Sequence, residues 1–159
     1  PEVPVSLITL VGREQGFIVA RGNPKGITTI KDITQPDVLF INRQRGAGTR
    51  ILLDYHLQES GLKPENVSGY EREEYTHLTV AAAVASGAAD VGLGIRAATE
   101  ALDLDFIPLA SERYDMAIPE EHVDSPLLRP LLDLLHDPDF RHDVSALPGY
   151  SIEGMGCVR

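Results

Sequence analysis

Apolar residues along the chain fall into short runs separated by glycine, proline and charge. Residues 5–11 and 16–20 have the length and composition of strands, broken by the polar Arg13-Glu14-Gln15, and predict a hairpin-like or crossover pair. Gly22-Asn23-Pro24-Lys25-Gly26 reads as a turn or linker, and residues 29–33 as a single helical turn. Residues 38–42 have the length of a buried strand. Gly46 and Gly48 interrupt that run, and a helix is predicted over residues 49–60, stopped by Gly61. The same order recurs: a strand at 67–70, a polar loop at 71–75, and a helix at 77–86 with Thr76 as its N-cap and Gly87 just past its end. A strand at 90–95, a short helix at 97–102, strands at 106–110 and 114–118, a helix opened by Ser125-Pro126 and running to 136, and a last helical piece at 138–146 complete the pattern. Alternation of this kind predicts the α/β class: a mixed or parallel sheet with helices on both faces, because connections of helix length join parallel neighbours.

Composition narrows the function classes. The chain has 159 residues, 43% apolar and 24% charged, which is ordinary for a globular domain. The longest apolar runs, such as residues 80–85, fall far short of the roughly 20 residues that a membrane span needs, and no partner membrane is expected. A single cysteine, Cys157, cannot form an internal disulfide or build a zinc ribbon, which fits a reducing, cytoplasmic setting. The net charge of -10 argues against direct nucleic-acid binding. Its distribution is uneven, however: residues 1–50 hold seven Lys/Arg against four acids, and Arg43, Arg45 and Arg50 share a stretch without an acid. A positive spot in an acidic chain suits a small anion, as it also suits a surface loop.

The stretch with most chemistry is Asn42-Arg43-Gln44-Arg45-Gly46-Ala47-Gly48-Thr49-Arg50, where a strand ends in a glycine loop that opens a helix. A helix start at the carboxyl end of a strand offers unpaired amides and the positive end of a dipole. Gly46 and Gly48 would let the backbone approach a ligand, Thr49 could add a hydroxyl, and Arg45 a charge-assisted bond. The plainer alternative is a chain turn with Thr49 capping the helix. Arg50 is expected to point back toward Asp54, four residues on in the same helix. A second loop, Glu73-Glu74-Tyr75-Thr76-His77, would bring another helix start to the same side of the sheet; His77 is a donor or a plain capping-region histidine, and Glu73 and Glu74 are expected to stabilise that helix through its dipole. Gly92-Leu93-Gly94-Ile95-Arg96-Ala97 has half of a dinucleotide fingerprint but lacks the acidic residue that should follow. No nucleophile elbow, phosphate loop or paired-histidine metal motif is present in the sequence, and no cofactor or metal is called for.

These motifs, with Gly12-Arg13-Glu14-Gln15-Gly16, Gly22-Asn23-Pro24-Lys25-Gly26, Gly69-Tyr70-Glu71-Arg72 and Gly87-Ala88-Ala89-Asp90-Val91-Gly92-Leu93-Gly94, resemble the type 2 periplasmic-binding-protein-like domain related to molybdate-binding proteins. The resemblance runs from about Leu7 to Tyr150. It implies non-enzymatic sensing of a small oxyanion such as molybdate or tungstate, coupled to an attached regulatory domain, often helix-turn-helix, or to a molybdopterin-biosynthesis domain. It places the ligand at Ala47, Gly48 and Thr49 on one helix start and at Thr76 and His77 on the other; Arg45 joins them from the residue reading. A single domain over 1–159 is expected, with one lobe over 26–96, a partial second lobe from 1–20 and 105–159, and hinges near 21–24 and 95–103. Family members usually carry a further stretch ahead of the position of Pro1, so the chain is expected to be part of a longer polypeptide or a shortened member. The apolar strands at 5–11 and 106–110 would then be open, and a homo-oligomer is expected to cover them. Two rivals stand beside this reading: part of a molybdopterin-biosynthesis enzyme that holds a phosphate-bearing substrate, and a structural oligomerisation module.

Overall fold

In a computed structural model, residues 3–159 are described, and the chain forms two compact units: Glu14–Ala110, and Pro1–Arg13 with Ser111–Arg159. The chain passes between the units inside two long strands, β1 (Val5–Val19) and β5 (Asp105–Pro119), whereas the sequence suggested crossings near 21–24 and 95–103. The expected break at Arg13-Glu14-Gln15 does not occur. Each polar residue has a partner that lets the strand continue: Arg13 bonds Glu112 and lies over the Tyr114 ring, Glu14 pairs with Arg96 at 2.8 Å, and Gln15 is buried opposite Ile95. Residues 106–110 and 114–118 likewise belong to one strand, β5, rather than two.

The larger unit is the α/β layer that the alternation predicts. Its strands β2 (Phe40–Arg43), β3 (Glu73–Glu74) and β4 (Val91–Ile95) are parallel to one another, and β1 runs antiparallel to β4, in the order β3-β2-β4-β1-β5. Period-two alternation sorts the strand side chains onto two faces. Phe17, Val19, Phe40, Val91 and Leu93 meet Leu53 and Leu57 of α1 (Gly48–Glu59) on one face. Ile18 and Ile41 meet Val80, Ala81 and Val84 of α2 (His77–Ala85) and Ala98 of α3 (Arg96–Glu100) on the other.

One strand is displaced from its expected place. Residues 67–70 form turns instead, because Gly69 takes a left-handed φ of 91° and Arg72 closes a turn onto its carbonyl. Pairing with β2 resumes at β3: the amides of Phe40, Asn42 and Gln44 bond the carbonyls of Ser68, Arg72 and Glu74 at 2.8, 2.8 and 3.0 Å.

In the smaller unit, Ile8, Ile118, Leu135 and Met155 form the buried centre. The helix expected over 125–136 is shortened to α5 (Arg129–Leu134), an unexpected short helix, α4 (Glu120–Val123), precedes it, and α6 (Pro138–Ser145) follows, capped by Asp137. A short strand, β6 (Tyr150–Ser151), pairs with β1 through Gly12 and Arg13; with only two residues it gave no alternation to read.

Candidate ligand-binding site

The helices α1 and α2 both start at the carboxyl ends of neighbouring parallel strands, β2 and β3, in the larger unit. β2 is also where the strand order reverses, since its successor β3 lies on one side and β4 on the other. In open α/β sheets that switch point is where ligands collect.

At α1 the start is open. Ala47 is the N-cap, with extended backbone and no side-chain cap bond; its carbonyl accepts from the amides of Arg50 at 3.0 Å and Ile51 at 3.1 Å, but it has no side-chain oxygen for the first two amides, those of Gly48 and Thr49. Gly46 takes a left-handed φ of 86°, and at both Gly46 and Gly48 a Cβ would meet nothing within 4 Å. Thr49, the second helical residue, is buried. At α2 the start is occupied in part. The Thr76 hydroxyl accepts from the amide of Thr79 at 3.0 Å while the Thr79 hydroxyl accepts from the amide of Thr76, a reciprocal cap that confirms Thr76 as N-cap. His77 is the first residue of α2, and its Nδ1 would lie 3.3 Å from a Cβ at Gly94, so the ring packs over the backbone of β4. The two starts are joined by the Gln44 amide on the Glu74 carbonyl and by the Arg43 guanidinium on the Tyr75 carbonyl at 3.1 Å.

The arginines differ from expectation. Arg45, beside Gly46, has a side chain 75% exposed and held by Glu71 at 3.0 Å and by Glu73 at 3.7 Å. Arg50 does not turn back to Asp54. Its side chain, 6% exposed, goes inward to ion-pair with Glu73, stacks with its guanidinium carbon 4.5 Å from the Tyr70 ring centre, and donates to the Arg43 carbonyl. Burial works to lower its pKa, but the bonds to Tyr70 and Glu73 outweigh it and hold the cation firmly charged. Asp54 instead accepts from the Tyr70 hydroxyl at 2.6 Å, and burial together with that bond pushes the phenol above its ordinary value. Glu73 lies in β3, where its main contact is Arg50 rather than the dipole of α2. Arg45, Gly46, Arg50, Asp54 and Tyr70 line an open groove of about 410 Å³ beside the α1 start. A Glu73 partner 23 residues from Arg50 gives no periodic signal, which is why the sequence pointed to Asp54.

The model of the PBP superfamily domain matches residues 1–136. The chain belongs to the PBP superfamily. This PBP-superfamily chain is 37% identical over 155 residues to YvgK of Bacillus subtilis (strain 168), spanning 98% of itself and 50% of that relative, about half its length. Among solved structures, EhuB in complex with hydroxyectoine matches with a TM-score of 0.64 at 17% identity, over 98% of this chain and 62% of EhuB. A protein described as the substrate-binding domain of a molybdenum ABC transporter from Clostridium difficile matches with a TM-score of 0.60 at 15% identity, over 91% of this chain and 66% of the other. At these identities the likeness concerns the fold. The α/β assignment and a ligand-binding domain of the PBP type are therefore established. Among the described residues no helix is long and apolar enough to cross a membrane, and no group of three or more His, Cys, Asp or Glu is placed to hold a metal ion.

Proposed function

We propose that the larger unit binds a small oxyanion, of the molybdate or tungstate kind, at the start of α1, and that a further domain of the full polypeptide reads its occupancy. The observation that carries this reading is the uncapped, unobstructed helix start at Ala47–Gly48, at the switch point of the sheet. Bare first-turn amides are a cost to an isolated helix, and an anion is what they are best suited to hold. Arg45 stands at the rim and can add charge-assisted bonds, and Thr49 can contribute its amide. Thr76 and His77 bound the site on the α2 side, where the Thr76 hydroxyl is already engaged in its cap. The structural neighbour described as part of a molybdenum transporter, together with the motif resemblance, favours a tetrahedral metal oxyanion over a carboxylate.

Calorimetric titration with molybdate, tungstate, sulfate and phosphate tests the reading, with Ala47→Asp as the decisive variant. An aspartate at the N-cap would occupy the amide of Thr49 and stabilise the helix by about 0.5–2 kcal/mol. The variant is thus expected to melt at or above the wild-type temperature while binding its oxyanion at least tenfold more weakly. A wild-type protein that binds none of the four ions, or a variant with unchanged affinity, would overturn the site.

A further inference from the structure

Building on that oxyanion site, we propose that Arg50 is a positioning residue: through its buried pair with Glu73 it fixes the spacing between the starts of α1 and α2, and so sets oxyanion affinity without touching the ligand. The first argument is where Arg50 stands. Arg50, Leu53 and Leu57 are all buried, and their spacing of three and then four residues marks the core-facing stripe of α1. An apolar residue at that position would continue the stripe without the desolvation that a buried guanidinium suffers, so stability alone does not account for an arginine there.

The second argument is what Arg50 connects. It leaves the first turn of α1, donates to the carbonyl of Arg43 at the end of β2, and pairs with Glu73 in the strand that feeds α2. Its stacking partner Tyr70 is tied in turn: its carbonyl accepts from the Asn42 amide side chain at 3.0 Å, and its hydroxyl reaches back to Asp54 of α1. One planar, permanently charged group therefore meets the segments leading into both helix starts. The ladder that also holds those segments is short: β3 pairs with β2 in the register Asn42–Glu73 and Arg43–Glu74, and beyond the Gln44 amide on the Glu74 carbonyl the β2 side reaches the α2 start through the Arg43 guanidinium on the Tyr75 carbonyl. A guanidinium suits this task because its fork and its flat face are used at once; an ammonium has neither.

The test replaces the pair together, Arg50→Met with Glu73→Gln, so that no unpaired buried charge remains, and uses Arg50→Lys as a second variant that retains the charge but lacks the fork and the stack. Hydrogen exchange of the ligand-free protein is read at the amides of Gln44 and Ala47, bonded to the carbonyls of Glu74 and Gln44, with the β1–β4 ladder as reference. In the double variant these two amides are expected to exchange at least tenfold faster while the reference amides do not change, and tungstate or molybdate affinity to drop at least tenfold. Arg50→Lys should fall between the double variant and wild type in both readouts. Exchange at Gln44 and Ala47 within twofold of wild type in both variants would overturn the brace. Faster exchange in a protein whose wild type binds no oxyanion would uphold the brace and overturn the oxyanion reading instead.

Discussion

Arg45 and Arg50 lie five positions apart in the chain, yet solvent gives them different roles. Arg45 is exposed, and an exposed ion pair contributes only about 0–1 kcal/mol. Glu71 therefore holds it loosely enough for a multiply charged anion to compete. Arg45→Ala is expected to weaken oxyanion binding by about 1–3 kcal/mol. Glu71→Gln should have the opposite effect, because it releases Arg45 and removes a repelling charge from the rim. In the Arg45→Ala background the gain from Glu71→Gln should shrink, and the whole effect should fade as salt is raised. Calorimetry on the four proteins of this cycle checks it; an affinity that falls in Glu71→Gln would show that Arg45 does not serve the ligand. At this scale the backbone part of the site was legible. Gly46, Gly48 and Thr76 declare themselves by glycine content and capping chemistry, both local properties, whereas Ala47, which has no capping side chain, came only with the family resemblance. The direction of Arg50 was not, because the choice between Asp54 and Glu73 is made by burial against Tyr70, a contact that spacing along one helix cannot express.

At the scale of elements, the two glycines of β4 acquire a structural meaning in place of a nucleotide fingerprint. A Cβ on Gly92 would collide with Val80 of α2 and Ile41 of β2, and one on Gly94 would press on Ile18 and the His77 ring. These glycines allow α2 to settle closely on the sheet, with Val80 and the His77 ring against β4. Val80 is buried and held by its helix, so relief at position 92 requires α2 to lift. Gly92→Ala is accordingly expected to destabilise by about 1–3 kcal/mol, the usual range for an overfilled core. Urea unfolding measures the change; a loss under half a kcal/mol would mean that α2 packs less closely than described. Elements with a clear period and local stop signals, such as α1, α2 and β4, were readable within one or two residues. Long β1 and β5 were not, because polar residues that look like breaks are paired across the fold, Arg13 with Glu112 and Glu14 with Arg96.

For the whole molecule, the open question is what covers its apolar surface. The sequence pointed to residues 5–11 and 106–110, and the structure corrects most of that: Phe106, Ile107 and Leu109 are half-buried, Ile8 is buried and Leu10 and Val11 pack against it, whereas Val5 and Leu7, with Val3 ahead of them, are exposed, as is Val158 on the bridge to Ile8. The smaller unit also exposes Leu127, at 86%, just ahead of α5, with Leu131 and Leu134 on the helix itself. Large exposed aliphatic groups gathered in one unit favour association, and a second copy of the chain is the simplest cover. The net charge of -10 opposes that association, since two copies repel across any shared face. Salt screens the repulsion but leaves the apolar gain, so self-association should strengthen as ionic strength rises, the reverse of the salt effect on oxyanion binding. Sedimentation velocity at micromolar concentration in low and high salt is expected to show a dimer favoured by high salt, and Leu127→Glu with Leu131→Glu should return it to monomer without altering oxyanion affinity. A wild-type monomer at both salt concentrations would show that these side chains are tolerated in water, and the apolar surface of the smaller unit would then need no partner of its own kind.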